Sequence, residues 1–145
     1  MVFTLKDLKE LSKKISKQIK PGDAIYLYGD LGTGKTTFSK FLIKDIFKKN
    51  KKRSPGVSSP TFNIAQYYPV NKKIMIAHYD LYRLKKTSEL DHIGIYELQE
   101  KVISLVEWPE LIKKKSKNRI DIRIKHTKVD NQRNVAIKYV GKIKK

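Results

Sequence analysis

A glycine-rich loop held between a strand and a helix constrains this chain more than any other feature. Gly29-Asp30-Leu31-Gly32-Thr33-Gly34-Lys35-Thr36 fits the pattern G-x-x-x-x-G-K-[ST] at every fixed position. Ala24 to Tyr28 before it is a short apolar, β-prone run. Thr36 to Phe47 after it carries apolar residues at Phe38, Phe41, Leu42 and Phe47, the spacing of a helix with one buried face. The context predicts strand, loop, helix, which places the chain among α/β folds that bind nucleoside triphosphates.

The residue types suit phosphate chemistry. Glycines at 29, 32 and 34 let the backbone turn tightly and bring N–H groups close to phosphate oxygens, while the following helix directs its positive end at the same anion. Lys35 is placed to reach the β and γ phosphates, and the Thr36 hydroxyl is a candidate magnesium ligand. The whole stretch Gly29, Asp30, Leu31, Gly32, Thr33, Gly34, Lys35, Thr36 and Thr37 is therefore the candidate ATP-binding segment, with ATP and Mg2+ as the small molecules it implies.

A chain of 145 residues predicts one domain, residues 1–145, and buries about 68–70% of its unfolded surface, enough for a core without staples. Cysteine is absent, the amino terminus lacks a signal-peptide core, and no apolar run approaches the roughly 18 residues of a membrane span. A cytoplasmic protein with no membrane partner is the expectation. The net charge of +19 comes from 28 lysines and only five arginines, spread over nearly every predicted surface. Such a distribution reads first as solvated lysine-rich faces, because Arg is the residue favoured for bidentate phosphate recognition. Weak tRNA or acidic-partner contact through Lys48 to Arg53 and Lys113 to Lys115 is the remaining use of that charge.

Along the chain, Thr4 to Lys20 reads as an amphipathic helix, with Leu5, Leu8, Leu11, Ile15 and Ile19 on one face and Thr4 and Asp7 as a capping-box pair. Pro21-Gly22-Asp23 ends it. Lys48 to Gly56 is a basic connection. Phe62 to Tyr68 and Lys73 to Tyr79 predict a β-hairpin around Pro69-Val70-Asn71. Thr87 to Ile93 predicts a short helix ended by Gly94, Val102 to Val106 a strand buried on both faces, and Ile120 to Ile124 with Val135 to Tyr139 a final β-pair. The expected architecture is an α/β, single-domain, P-loop NTPase-like fold with a mixed parallel and antiparallel central sheet flanked by helices.

A phosphate loop alone does not hydrolyse ATP; an acid must hold magnesium or its waters, and a group must orient the attacking water. Asp80 and Glu107 stand at the carboxyl ends of two predicted strands, where such folds face the nucleotide. Each also admits a structural role, as a cap or an ion-pair partner. Ser58-Ser59-Pro60-Thr61-Phe62 places hydroxyls around a rigid proline, either a segment that senses the γ-phosphate or an ordinary loop into a strand. His78 is read as a packed strand residue in preference to a base. Trp108 either covers the site or packs in the core.

These segments together resemble the TsaE (YjeE-type) ATPases, bacterial proteins required for the threonylcarbamoyladenosine modification of tRNA. Gly29 to Thr37 resembles the family's G-D-L-G-A-G-K-T-T loop, with Thr33 in place of Ala. Ser59-Pro60-Thr61-Phe62 resembles S-P-T-[FY], His78 to Leu84 resembles H-x-D-L-Y-R-L, and Val106-Glu107-Trp108-Pro109 resembles V-E-W-P. The resemblance implies that Lys35 and Thr36 bind phosphate and magnesium, that Asp80 is needed for hydrolysis with Lys35 and Thr61, and that Glu107 helps hold the metal. It also gives Ser59, Pro60 and Trp108 switch or partner roles, and places nucleotide contacts near Thr4 and at Arg133. The implied partners are the threonylcarbamoyl-transferase TsaD and its paralogue TsaB. Departures lie in the lysine-rich loops and the carboxy-terminal tail.

Two other classes share some of these features. A small-molecule kinase uses the same loop but needs an acceptor site and usually a lid, for which the hairpin leaves little chain. A basic RNA-binding module would use Tyr67 and Tyr68 beside lysines to stack bases, against a scarcity of Arg.

Overall fold

The computed structural model describes residues 1–145. Seven strands form one sheet: β1 (Val2–Phe3), β2 (Ala24–Tyr28), β3 (Ala65–Pro69), β4 (Met75–Asp80), β5 (Ile103–Glu107), β6 (Arg119–His126) and β7 (Arg133–Val140), in the spatial order β1-β7-β6-β2-β5-β4-β3. The inner strands β6, β2, β5 and β4 run parallel, while β7, β1 and β3 add antiparallel edges. All five residues of β2, and all five of β5, are buried. That is the pattern of parallel strands covered on both faces, and it explains why their sequences are continuous apolar runs instead of alternating ones.

Alternate side chains of β2 feed two cores. Ile25 and Leu27 pack under α1 (Leu5–Ser16) and α2 (Lys35–Lys49), with Leu8, Leu11, Ile15, Phe38, Leu42 and Ile46. Tyr26 and Tyr28 face the opposite layer, built from the short helices α3 (Ser88–His92) and α4 (Ile95–Leu98) and the segment around Ile112. The parallel register Leu27↔Glu107 and Asp80↔Glu107 brings the carboxyl ends of β2, β5 and β4 level. The phosphate loop leaves the first of these ends, so the two acids arrive beside it without a connecting segment of their own.

The expected mixed sheet and flanking helices are present, and differences in detail have local causes. Helix α1 stops at Ser16, short of Lys20, because the Asp23 side chain accepts the Lys20 N–H at 3.0 Å and draws the chain into a turn. The Thr4–Asp7 capping box forms at its start. The first hairpin strand begins at Ala65 and not at Phe62: Ile64 takes a left-handed conformation (φ 66°), and its N–H bonds back to the Pro60 carbonyl at 2.6 Å. Gly94, with φ 70°, ends α3 and also leads into α4. The two-residue strand β1 is too short to show a period. No helix is long and apolar enough to cross a membrane.

Candidate active site

The loop from Gly29 to Gly34 joins the carboxyl end of β2 directly to the start of α2. A Cβ at Gly29 would stand 2.5 Å from the Ile124 carbonyl oxygen and 2.7 Å from the Thr33 hydroxyl, so the strand can turn away only with glycine there. Gly34 sits at φ 111° where the helix opens, a conformation costly for any other residue. Lys35 folds back over the loop and donates from Nζ to the Gly29 and Asp30 carbonyls, each at 2.7 Å. It is 5% exposed, and burial pushes its pKa below the usual lysine value against the opposing pull of Glu107 and Asp80.

Glu107 is the hub of the buried polar groups. Its Oε1 accepts the Thr36 hydroxyl at 2.7 Å; its Oε2 accepts from His78 Nε2 at 2.7 Å and from the Ser39 hydroxyl at 3.3 Å. His78 is fully buried, so the strand histidine packs inside the sheet and braces Glu107. Its Nδ1 has no partner, which fits the tautomer that carries its proton on Nε2. Asp80, 5% exposed, accepts the Thr61 hydroxyl at 2.9 Å on Oδ2 and the Tyr82 N–H at 3.1 Å on Oδ1. Thr61 in turn shares a 2.6 Å hydrogen bond with Ser59. Pro60 is buried between them, its carbonyl taken by the Ile64 N–H. The hydroxyl segment is thereby latched onto the end of β4.

Trp108 continues the β2–β5 ladder by donating its N–H to the Leu27 carbonyl at 3.2 Å, then turns at φ 58° and ψ 59° into the short 3-10 helix Pro109–Leu111. This left-handed turn lays the indole beside the loop: Lys35 Nζ is 4.3 Å from the ring centroid, and the Tyr82 ring packs on Trp108 at 4.8 Å. Trp108 therefore covers the site as well as packing.

Two cavities meet at the start of α2. One, of about 250 Å³, is lined by Lys35, Thr36, Thr61, Asp80, Glu107 and Trp108, with Leu31 and Thr37 at its margin. The other, of about 210 Å³, lies between Thr4, Leu8, Thr33, Thr37 and Arg133. Gly32, Gly34 and Thr37 border both. Arg133 reaches across from β7 and donates to the Thr33 carbonyl at 2.9 Å, so the two ends of the chain close on the loop.

A family model described as "Threonylcarbamoyl adenosine biosynthesis protein TsaE" matches residues 2–135. The chain belongs to the TsaE family. It is 40% identical over 108 residues to the tRNA threonylcarbamoyladenosine biosynthesis protein TsaE of Rickettsia prowazekii, covering 74% of this chain and 72% of that protein. The TsaE of Rickettsia felis is also 40% identical, over 107 residues, with 74% of this chain and 60% of that protein covered. The TsaE of Bacillus subtilis is 35% identical over 138 residues, covering 93% of this chain and 81% of that protein. Among solved structures, the crystal structure of Bacillus subtilis YdiB superposes with a TM-score of 0.70 at 28% identity, over 97% of this chain and 86% of that one.

For a TsaE-family chain with a P-loop NTPase-like fold, the donor set suits a hard cation. Thr36, Asp80 and Glu107 line the cavity and offer only oxygen atoms. That combination matches magnesium, which keeps waters and phosphate oxygens in its shell and takes few protein ligands. Sequence reasoning missed Ser39, one helical turn beyond Lys35 and bonded to both the Lys35 carbonyl and Glu107. The i to i+4 spacing was the available signal. It also missed Tyr82 on Trp108 and Asn131 beside Arg133.

Proposed function

We propose that this chain is a magnesium-dependent ATPase, one domain over residues 1–145, that hydrolyses ATP to reset a TsaB–TsaD threonylcarbamoyl-transferase complex in tRNA modification. The observation that carries the reading is the convergence of Lys35, Thr36, Asp80 and Glu107 on one cavity at the level ends of β2, β4 and β5. In this reading the Gly29 to Thr37 backbone and Lys35 hold the phosphates, and Lys35 stabilises the charge that develops on the γ-phosphate. The Thr36 hydroxyl and Glu107 would hold magnesium or its waters, and bound magnesium would supply charge neutralisation across the β and γ phosphates. Asp80 orients the attacking water once Thr61 has left it, and Thr61 and Ser59 respond to the γ-phosphate as a switch. The base and ribose extend past Thr37 into the cavity between Thr4 and Arg133. The protein works in the cytoplasm, and any contact with tRNA is weak and secondary.

The test is ATP hydrolysis by the protein alone and with TsaB and TsaD, for the natural sequence and for Asp80→Ala. Turnover that rises with the partners and is lost in the variant is expected. Turnover indifferent to both partners and Asp80 overturns the reading and returns the kinase and RNA-module alternatives. A phosphorylated small-molecule product would select the kinase, and salt-dependent RNA binding unaffected by Lys35→Ala would select the RNA module.

A further inference from the structure

Behind Trp108, on the face of the sheet away from α1 and α2, lies a third and larger cavity of about 620 Å³. Gly29, Asp30 and Trp108 line it, so it shares walls with the phosphate site without sharing Lys35, Thr36, Asp80 or Glu107. We infer that this cavity receives a segment of a protein partner that presents a carboxylate to Arg123, its main anion-binding group; the inference rests on the partner-coupled reading above.

The lining carries positive charge that the protein does not use. The Arg123 guanidinium lies 4.1 Å over the Tyr28 ring, and Lys115 Nζ lies 5.8 Å over the same ring. Stacking fixes the guanidinium while leaving its N–H groups available, and the Arg123 side chain donates no hydrogen bond within the chain. The ion pairs of the molecule are Lys13–Glu10 and Arg119–Asp121, so Arg123, Lys115 and Lys125 are all unpaired. Tyr28, only 7% exposed, has a buried hydroxyl with no partner in the protein. Among lysines spread over every surface, this is a place where an arginine is held in a fixed pose at the edge of a cavity.

The same lining argues for a peptide and against a nucleic-acid backbone. Asp30 and Glu110 also border the cavity, and neither is paired with its cations. Two carboxylates repel a chain of phosphates, whereas a peptide presents one carboxylate to Arg123 and neutral or basic groups to Asp30 and Glu110. The position also couples the site to nucleotide. Lys35 is bonded to the carbonyls of Gly29 and Asp30 and lies against Trp108, and these are the walls that an inserted segment would press upon.

The experiment measures binding of the full chain to the TsaB–TsaD complex, and separately to a tRNA transcript, for the natural sequence, Arg123→Ala and Arg123→Lys. Binding of a fluorescent ADP serves as the check that each variant is folded. Arg123→Ala is expected to weaken TsaB–TsaD binding about tenfold or more, with ADP affinity and basal hydrolysis unchanged. Arg123→Lys keeps the charge but not the fork, and should fall between. Natural-sequence protein that binds TsaB–TsaD as tightly as a folded Arg123→Ala variant overturns the second site alone. Loss of tRNA binding with TsaB–TsaD binding intact overturns it in favour of a nucleic-acid surface. Natural-sequence protein that does not bind TsaB–TsaD at all removes the functional reading and this inference together.

Discussion

Replacing Glu107 by glutamine preserves the shape of the buried hub and halves its capacity to accept. In the native arrangement one oxygen serves Thr36 and the other serves His78 and Ser39. A glutamine offers one oxygen and an NH2 group that only donates, so either the Thr36 side or the His78 side loses its acceptor. A hydrogen bond to a charged group contributes about 1.5–3 kcal/mol, and part of that loss is offset because a buried charge no longer has to be accommodated. A net cost of about 1–2 kcal/mol follows, a fall of roughly 2–8 °C in Tm for a chain of this size, so the variant should still fold. The metal effect should be larger in relative terms. Removing a carboxylate that orients a ligand or its waters typically weakens metal affinity by about 10–100-fold. The assay is fluorescent-ADP binding in EDTA and across a magnesium titration, followed by ATP turnover against magnesium. Glu107→Gln should bind ADP in EDTA much as the natural protein does and require far more magnesium for turnover. A folded variant with an unchanged magnesium midpoint would refute the assignment of Glu107 to the metal.

Lys35, held below its ordinary pKa by burial, should lose its proton in the nucleotide-free protein at lower pH than surface lysines do, so ADP affinity should fall as pH rises toward the usual lysine range. The unfolded chain holds that proton more tightly, so between the two values this group makes stability rise with pH; parallel ADP titrations and denaturant melts of Lys35→Met and the natural sequence check both signs. Thr61→Val removes the hydroxyl from Asp80 and should cost about 0.5–1.5 kcal/mol, with ADP affinity kept and partner-stimulated turnover reduced; undiminished turnover would remove Thr61 from the switch. Leu42→Ala, at a fully buried position under the sheet, should destabilise the fold by about 2–5 kcal/mol in urea melts while leaving the ADP affinity of the folded fraction unchanged.

The phosphate loop was legible because its glycines answer backbone demands that no other residue meets, and the strand and helix flanking it carry their own periodicity. Asp80 and Glu107 were legible as strand ends. Their adjacency was not: the register Asp80↔Glu107 depends on β4 and β5 being neighbours, and sequence alone does not order strands. The latch of Thr61 on Asp80 was hidden for a related reason. It requires Ile64 in a left-handed conformation, where a β-branched residue is disfavoured, so Phe62 to Ile64 reads as strand. The turn at Trp108 defeats local propensity in the same way. Ser39 and Arg133 show the two limits of reading by segment, since one is an ordinary helix serine until Glu107 lies opposite, and the other meets Thr33 from the far end of the chain.

The placement of β2 bears on how the protein is made. Its first residue pairs with Ser104 on one side and Arg119 on the other, both encoded long after it. During synthesis the strand that carries the loop therefore leaves the ribosome with both edges open, and its apolar residues wait for the carboxy-terminal half of the chain. Glu107 arrives with that half and Arg133 later still. A nascent chain has the loop motif well before it has a site, so nucleotide should protect only nearly finished chains from proteolysis, and truncations before β6 should leave an aggregation-prone strand with its motif intact.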